Sequence, residues 1–333
     1  MFSRILLTRM KFIGDVVLTT PIIHTLRDSF PNAHIAYMGD AKAVSLLEHN
    51  PYLNEIIPFD FSQKSVLYSL KMFAKLHSGN YDLVIDLFSN PRSALLTFAT
   101  GAKVRIGGNA RGRGKLYTMR IHDDGRPKTA IEYHYQSLKP LNIEPAYFKT
   151  EIFLTEKEKN EMQKFLSSAN IDLSKRIVAL HPGGTWPAKL WQKEKFVALT
   201  RKLQASGVAV TLTGGLNDWE QVDFVHLNSG AMKTGNLSLR QIAALYSQCK
   251  AVVTNDCGVM HIAAAVDTPT IGIFGPGQDA IWFPYSYPHK ALRKHVPCNP
   301  CHLNICNRTG GDFMECMKLL SVDEVFNILM ERI

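Results

Sequence analysis

An aspartate at a glycine turn and four polar loops are the places in this 333-residue chain where residue types and spacing could do chemistry. In "RMKFIGDVVLTTP", residues 9–21, Asp15 follows the apolar run "ILL" and precedes "IIHTLRDSF", so a strand ends, Gly14 turns the chain and a helix begins. A carboxylate there can cap the helix from residue 16, contributing about 1 kcal/mol, or it can take a proton from a hydroxyl as a general base. An Asp15→Asn substitution separates the two roles, because Asn keeps most capping ability but takes no proton. On that reading the Asn variant is inactive and near wild type in thermal stability.

The second half holds the loops. "HPGGTWPAKLW" (181–191) offers Gly183 and Gly184 for close backbone approach to a ligand, a hydroxyl at Thr185 and a mobile positive charge at Lys189. "TGGLNDWE" (213–220) ends a strand in two glycines, after which Asp218 or Glu220 can accept hydrogen bonds from ribose hydroxyls. "TNDCGVMH" (254–261) places Asp256 to cap a helix whose free N–H groups at Cys257 and Gly258 suit a diphosphate, and "FGPG" (274–277) follows. Each residue also has a plainer role: His261 as a hydrogen-bonded core histidine, His181 as a loop anchor, Lys189 as a surface lysine covering an aromatic ring. Together the loops describe a nucleotide pocket. No Walker sequence occurs and no GxGxxG follows the first strand, which argues against ATP hydrolysis and dinucleotide chemistry.

Two further patterns bear on partners. Four of the six cysteines, Cys298, Cys301, Cys306 and Cys316, lie in "CNPCHLNICNRTGGDFMEC". The C-x2-C pair with two more thiols suggests zinc or an iron–sulfur cluster, with packed thiols or a redox-labile disulfide as the other readings. The formal charge of +9 is concentrated in residues 1–150, which hold 19 Lys+Arg against 12 Asp+Glu. Lys103, Arg105, Arg111, Arg113, Lys115, Arg120, Arg126 and Lys128 cluster there with only Asp123 and Asp124 as acids. That is either a solvated glycine-rich loop or a surface for an anionic partner such as a phosphorylated glycan or a membrane. Tyr117 is the lone aromatic among them, so nucleic acid is disfavoured.

The elements that must position these groups alternate. Short apolar runs "RILLT", "HIAYMGD", "DLVIDLF", "RIVALH", "VAVTLTGG", "AVVTND" and "PTIGIFG" are separated by helical stretches at 21–30, 41–49, 64–77, 91–100, 192–206, 217–227 and 258–266. This predicts an α/β chain with parallel sheets covered on both faces. A length of 333 residues and 46% hydrophobic content support two cores. Thr155 and Glu158 form a capping-box pattern that opens the connecting helix. The expected division is 1–165 and 166–333, the last helix being free to pack back on the first domain. No apolar run reaches eighteen residues and the N-terminus reads as a strand, so a soluble cytoplasmic protein is expected.

In order and spacing, "KFIGDVVLTTPIIHTLRDSFP", "HPGGTWPAKLWQKEKFVAL", "TGGLNDWE", "TGNLSLRQIAALYSQCKAVVTNDCGVMHIAAAVDTPTIGIFGP" and the cysteine tail resemble the lipopolysaccharide heptosyltransferases, glycosyltransferase family 9. The resemblance implies the GT-B fold, two Rossmann-like doubly wound domains facing across a cleft. It implies an inverting transferase that moves heptose from ADP-heptose to the inner core of a lipopolysaccharide precursor, with no cofactor required. By the same resemblance Asp15 is the catalytic base and Lys189 stabilises the leaving diphosphate. Gly184, Thr185, Asp256, Cys257, Gly258 and His261 hold the diphosphate, Glu220 the ribose, and Leu237 the adenine. Cys257 stands where the family usually has Thr or Ser, so only its backbone N–H is expected to serve. The implied partners are the nucleotide sugar, a lipid-linked acceptor of the Kdo–lipid A type and, peripherally, the cytoplasmic face of the inner membrane, with no nucleic acid. Transfer or epimerisation of another nucleotide sugar on the same fold, or a basic zinc-containing nucleic-acid-binding protein, are the alternatives.

Overall fold

The computed structural model describes residues 2–63, 65–284 and 288–333, the side chains at 110 and 111 being likewise outside the description. The chain divides into two compact units, Met1–Phe153 and Leu154–Ile333. The division falls at 153/154 and not at 165/166, because the helix that opens with the Thr155–Glu158 capping box packs within the second unit.

The first unit runs β1 (Arg4–Thr8), α1 (Ile13–Val17), α2 (Thr20–Ser29), β2 (His34–Asp40), α3 (Ala41–Val44), β3 (Glu55–Phe59), α4 (Val66–Ser78), β4 (Leu83–Asp86), α5 (Pro91–Ala99), β5 (Val104–Gly108), β6 (Met119–Ile121) and α6 (Ala130–Tyr135). The second runs α7 (Glu156–Ser168), β7 (Ile177–His181), α8 (Lys193–Ala205), β8 (Ala209–Leu212), α9 (Trp219–Ser229), β9 (Met232–Lys233), α10 (Leu239–Ser247), β10 (Ala251–Asn255), α11 (Gly258–Ala265), β11 (Thr270–Phe274), α12 (Asp279–Trp282), β12 (Lys290–Arg293), α13 (Glu315–Lys318) and α14 (Val322–Met330).

Each unit is one six-stranded parallel sheet, ordered β3-β2-β1-β4-β5-β6 in the first and β12-β11-β10-β7-β8-β9 in the second. Both have the doubly wound order in which the chain builds outward from its first strand and then crosses to the other side of it. The crossing opens a crevice at the carboxyl ends of β1 and β4, where Thr8 pairs with Asp86, and of β7 and β10, where His181 pairs with Thr254. Asp15 and Asp256 both stand just beyond these points.

The central strands are apolar throughout because both faces are covered. In β1, Ile5 and Leu7 pack with Val16, Ile22 and Leu26 on one face, while Leu6 packs with Met72, Leu76 and Leu96 on the other. In the second unit α8, α9 and α14 cover one face of the sheet, with Phe196, Val222 and Val325 fully buried. The last helix thus lies against α8 of its own unit. The basic stretch is partly structural: Arg105 and Arg113 donate through Nε to the carbonyls of Leu116 (2.9 Å) and Ser89 (3.0 Å), and Lys128 is paired with Asp123 and Asp124.

Candidate active site

In the first unit Asp15 lies inside α1, not ahead of it. Phe12 is the N-cap and Asp15 the third helical residue, its Oδ2 accepting the Phe12 N–H at 3.0 Å. Asx side chains close this ring from either end of the first turn, so the expectation of an N-cap at 15 with a helix from 16 is corrected by one turn. The other oxygen, Oδ1, is bound by Arg9 Nη2. Arg9 donates through Nη1 to the Leu87 carbonyl at 3.0 Å and lies over the Phe88 ring, 4.8 Å from its centroid. The carboxylate is therefore held from two directions in a nearly buried position. Nearby, at the end of β4, Asp86 accepts from Phe88 N, Ser89 N and the Tyr117 hydroxyl (2.6 Å), and burial raises its pKa.

In the second unit the loops after β7, β8, β10 and β11 converge. Asp218 brackets two of them, accepting from Gly184 N at 3.0 Å and from Gly215 N at 2.7 Å. A Cβ at Gly183 would come within 2.2 Å of the Asp218 Cγ, which is why that position is glycine. Asn255 ties the same loop to β10: its amide donates to the carbonyls of Pro182 and Gly183, both at 3.0 Å, and its oxygen accepts from Trp191 N. His181 is buried and hydrogen-bonded through Nδ1 to Thr213 Oγ1 at 3.0 Å, and burial lowers its pKa. It is the loop anchor.

The charged centre of this constellation is Lys189, whose Nζ lies 2.7 Å from Asp256 Oδ2 and 4.5 Å from the Trp186 ring centroid. Lys189 sits on the 3-10 turn Pro187–Lys189, so a short rigid segment aims a long flexible cation. Burial raises the pKa of Asp256 and Lys189 opposes that rise. The backbone at Gly277 closes the far side: a Cβ there would come within 2.2 Å of Asp256 Oδ2. Asp256 is not the cap of α11; Cys257 is the N-cap, and Asp256 is turned to Lys189 instead. The Cys257 thiol faces Thr254 Oγ1 at 3.2 Å and burial pushes its pKa up to about 11, leaving a neutral group directed inward. His261 is buried in α11, one turn beyond the cap.

A glycosyltransferase family 9 (heptosyltransferase) model matches residues 69–309. The chain belongs to this family. It is 27% identical over 305 residues to lipopolysaccharide heptosyltransferase 2 of Salmonella typhimurium, covering 87% of this chain and 88% of that protein. Its fold is similar to the family 9 glycosyltransferase of Veillonella parvula (TM-score 0.87, 24% identity, 99% of this chain and 97% of that one). It is also similar to Escherichia coli ADP-heptose lipopolysaccharide heptosyltransferase II (TM-score 0.81, 23% identity, 98% and 99%). The protein is a glycosyltransferase, and its two Rossmann-type units are those of the GT-B fold.

Within this family 9 chain the structure brings Gly184, Lys189, Asp256, Cys257 and Gly258 to one switch point, with Thr185 exposed on the same loop. Glu220 lies on the exposed first turn of α9, where it pairs with Lys193 at 3.3 Å, while Asp218 is committed to backbone N–H groups. Leu237 lines a cavity of about 310 Å³ between α7 and α10, together with Met162, Phe165, Arg240 and Gln241. The cysteines Cys298, Cys301, Cys306 and Cys316 are free thiols, and among the described residues no group of three or more His, Cys, Asp or Glu is arranged to hold a metal ion. The Arg111 side chain lies outside the described residues.

Sequence reasoning passed over Arg9, Asn255 and Trp186. Arg9 was within reach, being the one cation between β1 and Asp15 able to fork onto a carboxylate. Asn255 carried no signal beyond its place beside Asp256.

Proposed function

We propose that this family 9 glycosyltransferase moves heptose from ADP-heptose to the inner core of a lipopolysaccharide precursor, with inversion at the anomeric carbon. The observation that carries this reading is the Lys189–Asp256 pair, which sets a mobile cation at the β7/β10 switch point, where doubly wound sheets bind their ligands. Two of the three relatives named above are heptosyltransferases, one of them named for ADP-heptose.

Asp15 accepts the proton of the acceptor hydroxyl as that oxygen bonds the anomeric carbon. The bond from that carbon to the diphosphate breaks and ADP leaves with the electron pair. Lys189 shifts from Asp256 toward the diphosphate, and N–H groups at Cys257 and Gly258 supply fixed donors, so charge on the leaving group is stabilised without a metal. Gly184 and Thr185 approach the same phosphates, with His261 supporting the first turn of α11. Glu220 meets the ribose and Leu237 the adenine. The acceptor is lipid-linked, of the Kdo–lipid A type, and the enzyme works peripherally at the cytoplasmic face of the inner membrane.

Purified enzyme with ADP-heptose, truncated core acceptors and EDTA should give an acceptor heavier by one heptose, with the opposite anomeric configuration by NMR. Transfer from a different nucleotide sugar but not from ADP-heptose would overturn the donor assignment. Loss of turnover in EDTA would overturn the metal-free step.

A further inference from the structure

The helices α4 and α7 are matched in length and in how they pack. Each has 13 residues and each buries a Met–Leu pair four apart, Met72 and Leu76 in α4, Met162 and Leu166 in α7. Their outer faces differ. The exposed residues of α7 are all polar or charged, as a solvated helix requires. The first turns of α4 expose Val66 (74%), Leu67 (60%) and Leu70 (57%). The neighbouring α5 packs directly against α4 and exposes Leu95 (53%) and Phe98 (52%). Five large apolar side chains are thus exposed on two adjoining helices, where a solvated helix face is polar.

Charge identifies what covers it. Between Asp60 and Asp82, and again between Asp86 and Asp123, the sequence has no acidic residue, while those two stretches carry 3 and 7 Lys+Arg. Cations stand on the margin of the apolar surface: the Arg105 guanidinium lies 5.5 Å from the Phe98 ring centroid, and that of Arg92 lies 5.7 Å from Phe61. Lys71 and Lys75 are exposed along α4. A second copy of this face would bring like charge against like charge. An anionic bilayer offers what both features need, hydrocarbon for the leucines and phosphates for the rim.

We propose that the α4–α5 face docks this protein onto anionic membranes, Leu67, Leu70 and Phe98 entering the interface and Lys71 and Arg92 meeting lipid phosphates. The proposal rests on the reading of a lipid-linked acceptor and gives that reading a surface. Apolar insertion makes the binding only partly salt-sensitive, since screening weakens the rim and leaves the insertion.

The test is co-sedimentation with phosphatidylglycerol/phosphatidylethanolamine vesicles. The triple variant Leu67→Gln, Leu70→Gln, Phe98→Gln should lose affinity by a factor on the order of a hundred. Lys71→Glu with Arg92→Glu should lose affinity and most of the salt dependence. Both variants should keep wild-type thermal stability and wild-type kcat and KM on a deacylated, water-soluble acceptor, and lose turnover on acceptor embedded in vesicles. Unchanged vesicle binding in the triple variant would overturn the proposal, as would a wild-type dimer that this variant converts to monomer. Absence of heptose transfer by wild type to either acceptor would count against the enzymatic reading alone, because vesicle binding is read without turnover.

Discussion

Each unit places an aspartate beyond its switch point and gives it a cation, but the two pairs are built differently. Asp15 has one oxygen on the Phe12 N–H and the other on Arg9, whose fork is itself fixed to the Leu87 carbonyl and stacked on Phe88. Asp256 holds an ammonium at the end of a four-carbon stem that lies over the face of Trp186. A planar guanidinium with two partners and a ring beneath it fixes a carboxylate in one orientation. A lysine with one carboxylate partner can exchange it for a better anion. On the proposed mechanism, the contrast separates a pair whose carboxylate is the working group from one whose cation is.

The largest effect that follows is at Asp15. Asp15→Asn and Asp15→Ala should each lower kcat/KM for transfer by about 10² to 10⁴. The pairing with Arg9 changes the stability expected of the Asn variant, which keeps an acceptor for the Phe12 N–H but leaves the guanidinium without its counter-charge. A loss of about 1–3 kcal/mol in chemical denaturation is expected, in place of the neutral outcome a simple cap would give. An Asn variant with wild-type turnover would remove the base assignment.

Lys189→Ala comes next, with kcat lowered about 10² to 10³ if the ammonium stabilises the leaving group. Its stability should also depend on pH. Burial already raises the pKa of Asp256 and Lys189 opposes that, so removing the lysine raises it further. A carboxyl whose folded pKa lies above its unfolded value binds more protons in the folded state. Stability of the variant should therefore fall as pH rises from the ordinary carboxylate range to that folded pKa, and level off above it. Melting temperatures across this range, against wild type, measure it; identical profiles would show that Asp256 does not depend on Lys189.

How far the sequence foretold these pairs follows from what each kind of signal can carry. The central strands announced themselves because "RILLT" and "IVALH" are buried on both faces and so run apolar without a break. The edges did not. β3 carries a proline that is its one exposed residue, β6 is three residues of which two are exposed, and β9 is a two-residue strand with a lysine. Short, charged edge strands lack the periodicity that reveals a strand, for the same reason that they resist pairing with other chains. At the site, glycine pairs after strands were legible because only glycine tolerates such approach, as Gly183 against Asp218 shows. The capping role of Asp15 was misplaced because aspartate suits both the N-cap and the third helical position, and that of Asp256 because Cys257 after it takes the cap while its carboxylate turns to Lys189. The pairing of Lys189 with Asp256 joins loops far apart in sequence and was not legible at all.

Gly277 tests whether the looser pair needs its enclosure. Gly277→Ala puts a methyl group within 2.2 Å of Asp256 Oδ2, and the carboxylate or the loop must move. A cost of about 1–3 kcal/mol is expected, with the KM for the donor raised and kcat lowered less than in Lys189→Ala. If the variant binds ADP as wild type does by calorimetry, the position of Asp256 has no part in donor binding.

A third ion pair serves as the control for both. Arg240, buried in α10, reaches Glu158 of α7 through Nε and through Nη2 at 2.8 Å, and the same carboxylate accepts the Thr155 N–H at 2.8 Å. Here both partners are fixed and no reacting group is assigned to either. The hydrogen bonds from Arg240, with those from Thr155, bring the Glu158 pKa down from 4.5 to about 2. A depressed folded pKa means that the stabilisation is complete above 4.5 and is lost as pH falls toward 2. Arg240→Ala should cost about 2 kcal/mol at neutral pH and should flatten that acid loss, while leaving kcat within about twofold of wild type. Because Arg240 also lines the cavity with Leu237, the KM for the donor is the sharper reading. A KM unchanged along with kcat keeps the pair as a brace between α7 and α10, and a KM raised severalfold at constant kcat places that brace under the adenine.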